Sequence, residues 1–374
     1  MGSPDSAVPA DVEARPELTV KLELLTAVLE DHHLGAIRLR GQDWFAWATC
    51  GGSNAVLMAT DAGVAEVLVT RGGTRVVTNA IEAERLRLEE LPKGLEVVEV
   101  PWAAPGAPDE HVRASAGGGP VASDVPGDGE VPLPAELVAA KRRLLPAEIE
   151  RYRAVGRAAA EALSDTLQAI TPSMTEYDVA GIGASALLRR GLDPALILVA
   201  GSRRIRLHRH PRPTHEVIGD RVGVVFCGRR AGLFANLTRF AAFREPTDEE
   251  RQAAHDVAQV EATAFGASVP GATLGTVFAA MSDAYVRLGH EGAELDHHQG
   301  GTTGYRSREV VATPDDPTVL EPVVALAWNP SLPGTKIEDT VLLGHEGLEI
   351  LTVDPSWPVV HVERRARPDV LVRT

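Results

Sequence analysis

The chain repeats itself at a fixed offset, and that repeat restricts its possible folds more than any other feature. Pro172, Thr175, Val179, Ala186, Arg189 and Gly191 recur 98 positions later as Pro270, Thr273, Val277, Ala284, Arg287 and Gly289. Each set follows a long segment of helical pattern, Pro146 to Ile170 in the first copy and Asp248 to Ser268 in the second. Thr175 and Thr273 stand where an N-cap belongs, and Gly191 and Gly289 where a helix ends in a left-handed residue. Thr247 with Glu250 three residues on predicts a capping box at the start of the Asp248 helix. Leu274, Val277, Phe278, Met281, Tyr285 and Leu288 recur at helical spacing and predict an apolar face turned to a core. After the helix pairs come strand patterns. Arg221 to Cys227 and Leu233 to Phe243 read as a hairpin around Arg229-Arg230-Ala231-Gly232, and Val323 to Asn329, Lys336 to Leu343 and Leu348 to Thr352 as later strands. Two helix-helix-sheet copies sharing one curved sheet would leave a central cleft, and ligand sites favour such seams.

Ahead of the repeat the pattern changes to an α/β module over residues 17–102. A helix is expected from Leu18 to Leu34, strands at Ala36 to Leu39, Ala55 to Thr60, Val67 to Val69 and Thr74 to Val77, and a second helix from Ala80 to Glu90. Residues 1–16 read as a disordered N-terminus with neither leader nor anchor. Residues 103–134, dense in Gly, Pro, Ala and Asp, read as a linker or surface excursion. The repeat then occupies 135–374. A 374-residue chain exceeds the size at which one core stops growing, so two domains are expected.

Net charge is −15, which opposes nucleic-acid and anionic-membrane binding. The two cysteines, Cys50 and Cys227, make no disulfide framework and suit a reducing compartment. A cytoplasmic protein is expected on these grounds. Within this acidic chain, residues 201–212 concentrate five Arg and two His. Arg forks bind carboxylate bidentately, so this loop, with Arg204, Arg206, His208 and His210, is a candidate for the acidic end of a substrate.

His297-His298-Gln299-Gly300-Gly301, Thr335-Lys336-Ile337-Glu338-Asp339-Thr340, Gly219-Asp220 opening a strand and Thr238-Arg239 ending its partner resemble, in order and approximate spacing, the creatinase, aminopeptidase P and methionine aminopeptidase superfamily. The resemblance implies an α/β (α+β) protein, with a creatinase-like N-terminal domain and a C-terminal pita-bread domain carrying the internal duplication. It also implies a homodimer. Peptidases of the superfamily hold two metal ions on Asp, Asp, His, Glu and Glu. By the resemblance these positions fall here on Val225 or Phe226, Asn236, His298 (His297 in the competing register), Asn329 and Glu338. A superfamily His that precedes a Glu becomes Arg308, ahead of Glu309.

With that ligand set the expectation is a site that needs no cofactor. A dimetal Mn or Co pair is not expected, and a single Zn on His297, His298 and Glu338 is the alternative. The expected function is that of a metal-independent hydrolase cleaving a C–N bond of a small anionic or peptide-like substrate. His298 would carry the proton, with Glu338 and Glu309 orienting or tuning it. Asn236, Asn329, Arg308 and Tyr305 would hold the reacting group alongside the Arg and His residues of the 201–212 loop. An inactive peptide-binding relative and a metal-dependent Xaa-Pro aminopeptidase are the other readings.

Overall fold

The computed structural model describes residues 10–373, with side chains from Pro16 onward. The expected disorder of residues 1–9 lies outside the described residues. Residues 10–16 depart from that expectation: the first helix, α1, runs Ala10–Asp31 and carries Pro16 within it. The chain forms two compact units, one reaching to Lys141 and including Leu145–Ile149, the other made of Arg142–Leu144 and Glu150–Thr374.

The first unit is built on a six-stranded sheet. Its strands are β1 (Ala36–Gly41), β2 (Ala62–Thr70), β3 (Gly73–Asn79), β4 (Glu96–Val100), β5 (Val121–Ser123) and β6 (Glu130–Pro132), in the order β4-β3-β2-β1-β5-β6. Short helices α2 (Gln42–Ala48), α3 (Ala83–Arg85), α4 (Ala107–Ser115) and α5 (Ala135–Lys141) complete it, with a π-helical turn at Leu86–Glu90. Two expectations fail in this unit. Residues 55–60 make no strand; Gln42 caps this loop through the carbonyls of Leu57 and Thr60. The expected linker 103–134 holds α4, β5 and β6, and β5 pairs in parallel with β1. Gly119 and Gly35 explain how so glycine-rich a stretch is ordered. A Cβ on Gly35 would lie 2.4 Å from the carbonyl oxygen of Ala116, so only glycine lets the two backbones approach.

The second unit carries the repeat. Helices α6 (Pro146–Ala169) and α7 (Glu176–Leu188) form the first pair, α8 (Asp248–Ala267) and α9 (Leu274–Arg287) the second. The repeated residues take equivalent roles. Thr175 accepts from the Asp178 N–H and Thr273 from the Thr276 N–H, while Gly191 and Gly289 have φ of 67° and 83°. Each cap also bridges a later strand-like segment, Thr175 to Val217 and Thr273 to Val319. The Thr247–Glu250 capping box is present with both of its hydrogen bonds. Thr247→Ala is expected to lower stability by about 1 kcal/mol in chemical denaturation, since it frees an N-terminal N–H.

The expected single curved sheet is two sheets. One is four-stranded, from β7 (Asp193–Gly201), β8 (Arg221–Arg230) and β9 (Leu233–Ala242), with the C-terminal Leu371–Val372 added beside β9. The β8–β9 turn has Ala231 and Gly232 at φ 51° and 75°, the left-handed pair that a two-residue hairpin requires. The other sheet is five-stranded: β10 (Gly300–Thr303), β11 (Val310–Val311), β12 (Val324–Trp328), a fourth strand at Asp339–Leu343 and an edge strand at Leu348–Ile350. A bridge between Thr238 and Glu338 ties the two sheets, and the Phe234 N–H donates to the Gly304 carbonyl. The apolar stripe of α9 packs on the five-stranded sheet, where Leu274, Val277, Met281 and Tyr285 meet Leu326, Trp328 and Val341 in one core. No helix among the described residues is long and apolar enough to cross a membrane.

Candidate active site

The seam between the two sheets collects most of the residues singled out above. Strand alternation decides what Glu338-Asp339-Thr340 does, because successive side chains point to opposite faces. Glu338, 2% exposed, accepts from the Thr238 hydroxyl at 3.0 Å, from Arg308 at 2.5 Å and from Lys336 at 2.8 Å. Asp339 turns the other way, into a buried network with Arg239 and Arg367. Thr340 donates to the Asn236 carbonyl and accepts from the Asn236 N–H. Burial alone would raise the Glu338 carboxyl, but the charges of Lys336 and Arg308 outweigh it and hold the group well below the usual carboxylate range.

Two buried carboxamides flank this centre. Asn236 donates through Nδ2 to the Thr303 hydroxyl at 3.0 Å, and that hydroxyl in turn donates to the Arg306 carbonyl. This order fixes which end of the Asn236 amide is nitrogen. Its Oδ1 is buried without a hydrogen-bond partner, and so is Oδ1 of Asn329. Of the two residues that could stand for the superfamily's first Asp, Val225 faces the seam and lines a cavity with Thr238 and Lys336. Phe226 faces away, against Gly183 of α7.

The histidines come from two loops. His210 and His297 meet Nε2 to Nε2 at 2.9 Å, and the His297 and His298 rings stack with centroids 4.4 Å apart. Gln299, fully buried, holds this turn. Its Nε2 donates to the carbonyls of His297 and Glu294, its Oε1 accepts from the Tyr285 hydroxyl, and its backbone carbonyl accepts from the Asn329 N–H. Gly300 follows at φ 112°, where a Cβ would lie 2.1 Å from the Ala327 carbonyl oxygen, so the glycines bring the histidine loop flat onto β12. All three imidazoles are driven toward the neutral form. Burial, then the charge of Lys336, pushes His297 down to about 2, and burial, then Arg308, pushes His298 down to about 4. His210 shifts the same way, from burial and Lys336.

Several expected roles are corrected by this geometry. His298, expected to carry the proton, is held toward the neutral form by burial and then by Arg308. Glu309 accepts from the Tyr305 N–H at 3.1 Å, and its charge acts on the Tyr152 hydroxyl; the charges acting on His298 are those of Arg308, Lys336, Glu338 and His210. Tyr305 is buried at 1% exposure. The arginine loop is neutralised by the protein's own acids: Arg203 by Glu216, Arg204 by buried Glu176, Arg206 by Glu249 and Arg209 by Asp296. Arg204 and Arg206 are therefore already paired with acids of the protein, against the expectation that they bind the acidic end of a substrate. His208 is exposed on the wall of the cavity and stands outside the histidine trio. Sequence reasoning missed Lys336 and Gln299. For Lys336 the signal was its place two residues before Glu338 on extended backbone, which puts both side chains on one face.

Among the described residues, the group able to hold a metal ion is His210, His297 and His298, whose ligand atoms lie within 4.8 Å of one another. Neutral imidazoles are the form that binds metals, so this donor set fits an ion.

No curated protein is a significant sequence match to the chain. Solved structures match it nearly end to end at low identity. A Xaa-Pro dipeptidase from Bacillus anthracis superposes with a TM-score of 0.76 at 20% identity, covering 95% of this chain and 100% of that one. A prolidase from Thermococcus sibiricus gives 0.77 at 15%, covering 95% and 99%. The N-terminal domain of the FACT complex subunit SPT16 from chickpea (Cicer arietinum) gives 0.68 at 10%, covering 90% and 96%. These likenesses confirm the expected fold, an N-terminal α/β domain followed by a pita-bread domain. The family model for metallopeptidase family M24 matches residues 150–345. That match, with the histidine group, overturns the expectation of a site needing no cofactor: the family is one of metal enzymes, and the chain has side chains able to take an ion. Because the matched residues make up more than half of its length, the chain belongs to metallopeptidase family M24.

Proposed function

We propose that the second unit is a peptidase-type hydrolase that cleaves the C–N bond of a short peptide, or a peptide-like amide, bearing a free carboxylate. The observation that carries this reading is the charge and hydrogen-bond balance at the seam. Lys336 and Arg308 carry two positive charges against the single charge of Glu338, and the neighbouring imidazoles are neutral. A site with one positive charge in excess favours a carboxylate. The lone Oδ1 atoms of Asn236 and Asn329 complement it, since a buried acceptor without a partner is costly and an N–H donor relieves that cost. A carboxylate beside N–H groups is the signature of a peptide end.

In this reading Glu338 fixes the directions of Lys336 and Arg308, which hold the substrate carboxylate, while Asn236 and Asn329 receive the N–H groups of its free amino end, which a Xaa-Pro dipeptide also carries. Family membership supports hydrolysis as the reaction, and the similar prolidases and the Xaa-Pro dipeptidase make dipeptides with a C-terminal proline the first compounds to try.

The test is a panel of dipeptides, Xaa-Pro dipeptides and their C-terminal amides, assayed with Zn2+, Co2+ or Mn2+ present. Turnover is expected to favour the free acids. Lys336→Met is expected to raise KM for the acid by about 10- to 100-fold, the cost of a charged hydrogen bond, and to leave KM for the amide nearly unchanged. Panel-wide binding with no cleavage under any of the ions would replace this reading by that of a peptide-binding relative.

A further inference from the structure

We propose that His210, His297 and His298 form a three-imidazole site for one borderline transition ion, Zn2+ or Co2+. The proposal deepens the hydrolase reading and rests on it for the ion's use, though not for its binding. It departs from the ligand set of the resemblance, in which one histidine serves beside four carboxylates: here two further imidazoles join it, one from a loop far back in the chain.

Three observations converge. First, ring nitrogens from two separate loops come together, with His297 and His210 in contact at 2.9 Å and all three ligand atoms within 4.8 Å of one another. Second, Nδ1 of His297 and Nδ1 of His298 are buried and unpartnered, so the cluster has more lone pairs and N–H groups than the protein satisfies. A cation that takes a lone pair from each ring would use nitrogens that the protein leaves without partners. Third, the turn is held before any ion arrives, by Gln299 bonded to the His297 carbonyl and to the Tyr285 hydroxyl. Supporting groups of this kind orient metal ligands in advance.

The donor chemistry selects the ion. Three nitrogens without a carboxylate suit zinc and cobalt and offer little to Mg2+ or Ca2+, which take oxygen ligands. His210 is exposed, so the site has a face toward solvent through which the ion enters. Lys336 and Arg308 oppose a cation here, and Glu338, ion-paired with both, offsets one of their two charges. A bound ion of this class supplies Lewis acidity that makes water nucleophilic near neutral pH.

The experiment uses full-length protein stripped with a chelator and titrated with Zn2+ by calorimetry and with Co2+ by visible absorption. One ion per chain is expected, with cobalt bands typical of nitrogen ligation. His210→Ala is expected to weaken binding by more than the about 10- to 100-fold that loss of a supporting residue alone costs. His210 is exposed, so its replacement leaves the fold intact; circular dichroism and the melting temperature check this, and His297→Ala serves as the buried second variant. Absence of binding overturns the proposal. So does binding that survives both His210→Ala and His297→Ala, because the ion then sits elsewhere. One ion held by the three histidines without any peptide cleavage upholds the site and sinks the hydrolase reading. Full cleavage by ion-free protein upholds the hydrolase reading and overturns the ion's use in it.

Discussion

Arg367→Ala is expected to cost about 3–5 kcal/mol of folding stability, a large share of the total a domain has. The guanidinium is 2% exposed and binds two carboxylates at once: both oxygens of Glu261, at 2.5 and 2.7 Å, and Asp339 at 2.6 Å. Glu261 and Asp339 are themselves almost wholly buried. Removing the cation leaves Glu261 with only the weaker pull of Arg239, and the carboxyl, already raised by burial to about 7 against the charge of Arg367, must take a proton. Asp339 keeps Arg239 but loses one of its two guanidinium partners. Lysine would not restore the arrangement, since one ammonium lacks the planar fork that meets both acids. Urea denaturation of wild type, Arg367→Ala and Arg367→Lys measures this directly. A change below about 1 kcal/mol for the alanine variant would show that the network is relieved by rearrangement or by water.

Glu338→Gln is expected to act on both activity and stability. The glutamine keeps the size and the hydrogen-bonding oxygen, yet leaves Lys336 and Arg308 without their shared anion. Those side chains are 10% and 15% exposed, so each has a path to solvent and the loss falls at the low end, about 3 kcal/mol. Activity is expected to fall by about 100-fold or more, because groups displaced by an ångström no longer hold the substrate in register. The two effects separate by pH. The folded-state pKa of Glu338 lies below its unfolded value, so its contribution to stability is complete above the ordinary carboxylate range and fades as pH falls through the folded value. Wild type is expected to lose stability on acidification faster than Glu338→Gln, with the two curves converging in acid. Parallel curves would remove Glu338 from the ion-pair account.

What the bare chain revealed follows from how local each signal is. The N-cap threonines, the left-handed glycines and the capping box at Thr247 depend on neighbours within a few positions, and the structure places them as expected. The duplicated helix pairs were legible for the same reason, since the repeat carries these signals twice, and the pita-bread fold followed from the resemblance carried by Gly219-Asp220, Thr238-Arg239 and Glu338-Asp339-Thr340. Contacts between distant segments were not. The acids that neutralise the arginine loop, Glu176, Glu249 and Asp296, belong to other elements, so the loop looked over-charged in isolation. His210 met His297 across 87 positions, which no spacing rule specifies. The glycine-rich stretch 103–134 misled in another way. β5 and β6 are held by backbone hydrogen bonds to a neighbouring strand, and these need no apolar side chains to announce them.

The two sheets of the second unit are stitched by the bridge at Thr238 and Glu338 and by the bonds of Phe234 and Asn236 to Gly304, Thr303 and Thr340, so the seam is a crease with one sheet on either side. Whatever fills the pocket presses on both leaves of that crease together. A protease probing the fold would therefore sense occupancy: the empty protein is cut sooner, and a snug guest lengthens its life in proportion to how firmly it clasps the leaves shut.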